Sequence, residues 1–442
     1  MLQSKNLLNN GIIIMDIQNQ LYSIVNTARG AYPIEESLKL LVLVGAALSL
    51  DNKKTLEVLE LGEVDAQEYL KQVADRHKIK ELGILFENRN LKALEVFVSL
   101  NDIFKYLNKD TEKFGKVLME FYIHILNEQR NLGNISENPS SAQLVAQLTK
   151  DWNKETLFDG AAGIGYVASL IDAQKNFLCD LYRSCRDMAY LFFKMLGKDL
   201  TYNDNSDESS DTLIESVESR NVDLVVTHPP YGIRLDDSAA LNSQNYLVPD
   251  LLNQPIPSSA SDSLWIQHGL YQLNDQGKMI IQMATGWLFR SGYDAKLRKY
   301  LIENRLISVV IFLPENLSPF TAIGTVLLIL DKQKSSSIRF VDARDFGIKA
   351  KGQNFKTLSY KEIESITNAF REGSDNSKLC KDISFKEIRE NDYNLSAASY
   401  FSQEVEVKSL DLVEEMNHLL KIEDDFLKSS SKFNEIIEKL MN

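Results

Sequence analysis

One stretch limits the folds open to this chain more than any other: Val222-Asp223-Leu224-Val225-Val226-Thr227-His228-Pro229-Pro230-Tyr231-Gly232. Its first part is an apolar run rich in β-branched residues, which reads as a buried strand. Two prolines then end it, because neither has an N–H to give to a sheet ladder. The chain is turned out of the sheet at the carboxyl edge, where open α/β sheets place their ligands. An aromatic ring and a glycine follow at once. Taken alone, the stretch has two readings: a strand closed by a plain Pro-Pro turn, or rigid carbonyls beside a flat ring that suit gripping a planar amine.

At 442 residues the chain is too long for one ordinary domain. A hydrophobic fraction of 44% supports a sizeable core. No run of about 18 uninterrupted apolar residues occurs, so a membrane span is not expected; Leu38 to Leu50 suits a buried core helix better. The N-terminus lacks a small-residue cleavage site and does not read as a signal peptide, although Met15 is a second candidate start. Cys179, Cys185 and Cys380 are too few and too irregular for a disulfide framework, and the scattered histidines show no metal-ligand spacing. A reducing cytoplasm fits, and no metal is expected. A net charge of −13 argues against a free-standing, nonspecific nucleic-acid binder, whose grip comes from phosphate neutralisation.

From about Ile17 to Gln129 apolar residues recur at spacings of three and four, as in Leu94, Phe97, Leu100, Ile103, Phe104 and Leu107. This pattern predicts an N-terminal helical domain over residues 1–130. A polar link from Asn131 to Ser141 follows, and Pro139 starts a helix at Ala142 to Leu148. The link has two readings, a plain linker or one wall of a cofactor pocket.

Thr156-Leu157-Phe158 leads into Asp159-Gly160-Ala161-Ala162-Gly163-Ile164-Gly165 and then an apolar helix face, the order of strand, glycine-rich turn and helix. Glycines let the backbone approach a ligand closely, and a helix N-terminus offers free N–H groups. Alone this D-x-x-x-G-x-G turn is a weak signal. It gains strength at Asn176 to Asp180, a second short strand whose terminal acid lies 21 residues beyond Asp159. An acid there is where a ribose diol is held. A helix from Cys185 to Leu196 is closed by Gly197. Asp199 to Asp204 reads as a third strand, and Asp207 to Ser219 as a solvated loop and helix.

Past an irregular insert from Ile233 to Ser263, a helix carries Leu264 to Leu270, with His268 in a structural role. Asn274 to Gly277 reads as a turn into strand Lys278 to Met283. Helix Ala295 to Glu303 and strands Ile307 to Phe312 and Thr325 to Asp331 follow. Alternating units of this kind predict a doubly wound, mainly parallel sheet. The loop Leu313 to Thr321 then falls at the same edge as the Pro-Pro turn, with Phe320 either facing the pocket or packed within the loop. The tail ends in a near-heptad helix, Leu412, Met416, Leu419, Phe426, Phe433, Ile437 and Leu440, whose seam needs a partner, either the chain's own N-terminal domain or another subunit.

The order of a pre-strand Pro loop, D-x-x-x-G-x-G, an acid after each of strands two and three, and x-P-P-Y after strand four resembles the class I S-adenosylmethionine-dependent methyltransferases. Within these it is similar to amino methyltransferases with an N/D/S-P-P-Y/F motif. The phrases DSLWIQHGLYQLNDQGKMIIQ, GWLFRSGYDAKLRKYLIENRLISVVIFLPENL, AIGTVLLILDK and EIRENDYNLSAASY look like the modification subunit of type I restriction-modification systems. The resemblance covers roughly residues 90 to 402. It implies a Rossmann-like α/β methyltransferase domain over 131–375, and a C-terminal motif and helical tail over 376–442 for subunit assembly. It further implies methyl transfer from S-adenosylmethionine to the N6 amine of adenine in DNA, with the adenine flipped out of the duplex. Partners would be DNA, a specificity subunit, a restriction subunit and a second copy of the chain. Asn138, Pro139, Asp159, Gly160, Ala161, Gly163 and Gly165 would line the methionine half of the cofactor. Asp180 would hold the ribose and Asp204 would sit by the adenine ring. His228, Pro229, Pro230 and Tyr231 would receive the base.

An exocyclic amine is a poor nucleophile because its lone pair is delocalised into the ring. Hydrogen bonds from its N–H groups to a side-chain acceptor and a proline carbonyl favour a nitrogen whose lone pair points at the methyl, so orientation and electrostatics carry the rate. Tyr231 can stack on the extruded base. His228 departs from the Asn, Asp or Ser usual at its position. A neutral imidazole accepts one hydrogen bond; a protonated one accepts none. A weakened subunit kept as a scaffold of a DNA-defence complex is the competing reading, favoured by His228 and by Ala161-Ala162. A methyltransferase for protein glutamine or RNA is a third, opposed by the tail motif and the 264–332 region. Arg290, Lys296, Arg298, Lys299 and Arg305 form a basic stretch, either for phosphates or an ordinary solvated face. The prediction for His228 is that methyl transfer falls as pH drops through the imidazole pKa, near about 6.5 in an unperturbed side chain. An acid limb unchanged in His228→Asn contradicts that role.

Overall fold

The computed structural model describes residues 16–28, 33–60, 62–77, 79, 93–129, 137–201, 212–213, 219–235, 246–252, 254–350, 352–373, 379–401 and 412–441. They divide into two compact units, Met1–Tyr400 and Phe401–Asn442.

The first unit begins with helices α1 (16–28), α2 (Ile34–Leu50), α3 (Asn52–Leu59), α4 (Glu63–Arg76), α5 (Ala93–Tyr106) and α6 (Thr111–Glu128). Helix α2 is apolar almost all round, from Leu38 to Leu48, and is buried on every side. Its Gly45 lets α6 approach so closely that a Cβ there would lie 2.5 Å from Leu118. Helix α6 starts where the Asp110 side chain accepts the Lys113 N–H, an N-cap that satisfies one of the orphan donors. Helices α2 and α6 pack directly on α9 (Arg183–Met195) of the next layer, with Tyr122 edge-on to Phe192 at 5.8 Å. The helical region and the sheet therefore share one continuous core.

Helix α7 (Pro139–Leu148) leads into strand β1 (Thr156–Asp159), α8 (Tyr166–Leu170), β2 (Lys175–Leu178), α9 and β3 (Val222–Thr227). Then come α10 (Ser261–Gln272), β4 (Leu273–Ala284), α11 (Tyr293–Glu303), β5 (Ile307–Phe312), β6 (Thr325–Asp331) and β7 (Ser337–Asp342). A small hairpin, β8 (Ile348–Lys349) with β9 (Lys356–Thr357), precedes α12 (Tyr360–Glu372) and β10 (Cys380–Ser384). Among the described residues the main sheet has eight strands in the order β10-β7-β5-β6-β4-β3-β1-β2. Pairs β2–β1, β1–β3, β3–β4 and β5–β7 are parallel, whereas β6 runs antiparallel between β4 and β5, and β10 antiparallel to β7. Strands β3 and β5 are apolar runs rather than alternations because helices cover both faces. This is the mixed α/β sheet with a helical N-terminal region expected from the sequence.

Two local expectations change. Asn274 to Gly277 is not a turn ahead of a strand but a bulged part of β4, where the register to β3 shifts between Val222 and Leu224. Of the proposed third strand, the described residues show a bridge between Thr201 and Phe177, and residues 202–204 lie outside those described.

The segment after β10, α13 (Phe385–Glu390) to α14 (Ala397–Tyr400), is locked to α11. Arg389 forms a two-pronged pair with Glu303 at 2.9 Å, and the Tyr393 hydroxyl donates to the same carboxylate at 2.7 Å. Beside them Arg298, 3% exposed, donates to the carbonyls of Tyr393, Trp287 and Arg290 at 2.8, 2.6 and 3.1 Å. Residues 380–400, read from the sequence as part of the assembly tail, thus complete the sheet and its helical cover. The second unit contains α15 (Leu412–Met441), which exposes Met416, Leu419, Leu420, Phe426, Leu427 and Phe433. No helix among the described residues is long and apolar enough to cross a membrane.

Arg298→Ala leaves the buried Trp287 carbonyl and the part-buried Tyr393 and Arg290 carbonyls short of a donor. It should cost about 3 kcal/mol, read as a lower denaturant midpoint. A variant of unchanged stability contradicts this structural role.

Candidate active site

Strand β1 delivers Asp159 to the carboxyl edge of the sheet. The side chain is buried and accepts the Ala161 N–H at 3.0 Å. Burial pushes this carboxyl up to about 7 against the pull of that hydrogen bond and of nearby His228. The chain then turns through Gly163 at φ 53° and Gly165 at φ 76°, a region that favours glycine. A Cβ on Gly165 would also lie 2.7 Å from the Phe193 ring. Gly160 is required by packing, since its Cβ would meet Thr212 at 2.9 Å and Trp265 at 3.2 Å.

Asp180 closes the turn from the next strand. Its carboxylate accepts the Gly163 N–H at 2.8 Å and the Tyr182 N–H at 2.9 Å, while Cys179 accepts the Ala162 N–H at 3.0 Å through its carbonyl. Asp180 is partly exposed and its neighbours Leu181 and Tyr182 are about half exposed, so acid and apolar surface meet at the strand tip. Asp159, Gly160, Ala161, Gly163, Gly165 and Asp180 therefore lie together, as the sequence implied. Asp204 lies outside the described residues.

Strand β3 ends at Thr227 and presents His228. The His228 side chain is 8% exposed, and its Nδ1 lies 3.0 Å and 3.1 Å from the two carboxylate oxygens of Glu137. Nε2 is buried and makes no hydrogen bond among the described residues. A carboxylate can only accept, so Nδ1 carries the hydrogen in the neutral ring and Nε2 keeps its lone pair. Burial alone would lower the imidazole pKa; Glu137, with Asp159 beyond it, outweighs burial and raises it. Pro229 is buried and Pro230 exposed. The Tyr231 hydroxyl receives the Gln282 amide at 3.0 Å and meets the Ser318 hydroxyl at 3.2 Å. Gln282 in turn accepts the Ser141 hydroxyl at 2.7 Å. Tyr231 is thus pinned between β4 and the loop after β5, and burial pushes its hydroxyl up to about 12. That loop meets Tyr231 through Ser318, while Phe320, the residue singled out from sequence, is partly exposed and takes φ 66°.

Asn138 and Pro139 play a framework role here. The Asn138 amide oxygen caps α7, accepting from Ser140 N, Ser140 Oγ and Ser141 N. Its amide nitrogen donates to the carbonyls of Leu317 at 2.5 Å and Lys356 at 2.8 Å. Pro139 fills the first helical position. The side chain expected at the cofactor is therefore fully occupied by the protein, and it is Glu137 just before it that reaches the site. Sequence reasoning missed Glu137, Ser141, Gln282 and Ser318. For Glu137 the available signal was an acid adjoining the Pro loop in a chain whose motif begins with His.

His268 is structural as expected: it packs against Phe158 at 5.6 Å and Tyr246 at 5.1 Å, and burial holds its pKa down to about 3. The basic stretch divides: Lys296, Lys299 and Arg305 are exposed, as a solvated face requires, whereas Arg290 and Arg298 are engaged by the protein. Arg298 is buried on carbonyls, Arg290 pairs with Asp262 and Asp294, and Lys299 and Arg305 lie over the rings of Tyr393 and Phe385.

Asn138→Ala removes a helix cap and the donors to the buried Leu317 carbonyl and the part-buried Lys356 carbonyl. It should lower stability by roughly 2–4 kcal/mol, read by chemical denaturation. A loss below a few tenths would contradict the framework role.

The sequence model described as N-6 DNA Methylase matches residues 139–409. The type I restriction enzyme MpnII methylase subunit of Mycoplasma pneumoniae is 26% identical over 412 residues, covering 86% of this chain and 74% of that one. The MjaVIII methylase subunit of Methanocaldococcus jannaschii is 25% identical over 387 residues, covering 82% and 66%. Among solved structures, the type I restriction-modification system methyltransferase subunit from Streptococcus thermophilus superposes with a TM-score of 0.66 at 20% identity, covering 88% of this chain and all of that one.

Proposed function

The chain belongs to the N-6 DNA methylase family, and from that premise we propose that it is the modification subunit of a type I restriction-modification complex, transferring a methyl group from S-adenosylmethionine to the N6 amine of adenine in DNA. The observation that carries this reading is the meeting, at one sheet edge, of the Asp159 glycine turn, Asp180 and the His228-Pro-Pro-Tyr segment.

The residues present suit the cofactor. Asp180 is an acid held by two backbone N–H groups at the tip of β2 and open in part to solvent, as a ribose diol requires. Leu181 and Tyr182 offer apolar surface for an adenine ring, and Gly163 and Gly165 keep side chains out of the turn. Asp159 and Ala161 would line the methionine end. When bound, S-adenosylmethionine supplies an electrophilic methyl on a sulfonium. The protein's part is to hold the target amine in line with it. His228 Nε2 accepts one N6–H, a backbone carbonyl of the Pro229-Pro230 segment accepts the other, and Tyr231, fixed through Gln282 and Ser318, stacks on the extruded ring.

The partners follow from the chemistry of the surface. With a net charge of −13, and with Arg298 and Arg290 engaged by carbonyls and carboxylates, this subunit depends on a specificity subunit for most of its hold on double-stranded DNA. The apolar seam of α15 is the element we assign to assembly with other subunits, whether specificity subunit, restriction subunit or second copy. This reading calls for a cytoplasmic setting, where DNA and S-adenosylmethionine are both at hand. The scaffold reading retains one argument, that His228 is tied to Glu137; the unfilled Nε2 beside that tie speaks for chemistry.

Calorimetry of S-adenosylmethionine binding tests the reading. Asp180→Ala should weaken affinity at least about 100-fold through loss of two charged hydrogen bonds. Wild-type protein that binds none, alone or with its specificity subunit, would point to the scaffold.

A further inference from the structure

We propose that His228 and Glu137 form a general-base dyad that removes the proton from the methylated amine, with Glu137 a positioning residue that fixes the imidazole tautomer. The inference rests on the methyltransferase reading above and goes beyond hydrogen-bond acceptance, because an Asn at this position could accept the N–H but could not take the proton.

Three features of the site carry it. Both oxygens of Glu137 lie within 3.1 Å of Nδ1, so the ring is held in plane and in one tautomer. Nε2, the basic nitrogen of that tautomer, is buried with no partner among the described residues, although an unsatisfied buried acceptor costs about 1–3 kcal/mol. A substrate N–H would satisfy it. Finally, Glu137 cannot drift: Asn138 next to it is anchored through five hydrogen bonds to Ser140, Ser141, Leu317 and Lys356.

The amine nitrogen forms its bond to the methyl carbon as the carbon–sulfur bond breaks, and the bonding pair passes to sulfur, which becomes a neutral thioether. The nitrogen is then cationic and bears a proton. That proton moves to Nε2, leaving an imidazolium whose charge faces the Glu137 carboxylate. Charge and atoms balance, and no further reactant is needed. The same carboxylate that orients the ring makes it a stronger base, as in the His–Asp pair of serine hydrolases.

The pH dependence has a definite sign. The groups acting on His228 are Glu137, ahead of α7, and Asp159, at the end of β1; Tyr166 and Tyr231 feel Glu137 but remain neutral hydroxyls. The reactive form is the neutral ring. Because its pKa is raised, activity is lost below a pH that lies above the ordinary histidine value, and Glu137→Gln should move that limb down.

The test is long-range proton–nitrogen NMR of the histidine-labelled full-length chain, with the His228 signal assigned by its loss in His228→Asn. Wild type should show the Nδ1–H tautomer and a raised pKa, and Glu137→Gln should lower that pKa by about one unit. With the specificity subunit present, the acid limb of methyl transfer should fall by the same amount in Glu137→Gln and disappear in His228→Asn. An Nε2–H tautomer in wild type, a pKa indifferent to Glu137, or an acid limb that ignores both variants overturns the dyad. S-adenosylmethionine binding by the same samples separates the two claims: bound cofactor with the wrong tautomer sinks the dyad alone, whereas no binding, alone or with the specificity subunit, sinks the methyltransferase reading and the dyad with it.

Discussion

The buried amide of Asn138 is the interaction on which the site depends. It caps α7, and it also reaches the loop after β5 at Leu317 and the hairpin strand β9 at Lys356. Segments far apart in sequence are thereby fixed to one side chain. The first turn of α7 then sets the rest of the site. Glu137, one residue before it, orients His228, and Ser141, three residues after it, holds Gln282 and through it Tyr231. The two side chains proposed to meet the target base are therefore positioned from one helix start, although they follow strand β3. Prolines 229 and 230 supply the other half of the constraint by forcing the chain out of the sheet where that helix start can reach it.

The electrostatics follow from this crowding. Asp159, Glu137 and Asp180 converge on the carboxyl edge in a chain already strongly acidic, and burial raises both Asp159 and Asp180. One imidazole and, in the proposed reading, one sulfonium are the cations such a site accommodates. The arrangement favours a positively charged cofactor and keeps His228 basic. It offers little to a phosphate backbone, in line with the inward use of Arg298 and Arg290.

Much of this was legible in the sequence, and the pattern of what was not is informative. Strands β5 and β6 were read to the residue because fully buried runs have sharp polar ends. The turn glycines and Asp180 were found because backbone geometry and local order determine them. The bulge in β4 was missed because Asn-Asp-Gln-Gly carries every turn signal, and only pairing with Val222 and Leu224 keeps it in the sheet. Arg298 was misread because a basic helix looks the same whether its cations meet water or buried carbonyls. Glu137 escaped for a related reason: its role depends on a contact 91 residues away, which no local pattern encodes.

The measurement that tests the central claim most directly is mass spectrometry of nucleosides from DNA incubated with the chain, its specificity subunit and methyl-labelled S-adenosylmethionine. The account predicts label in N6-methyladenine and nowhere else, and its loss in Asp180→Ala. Label in cytosine, in RNA or in protein, or no label with every subunit present, would contradict it.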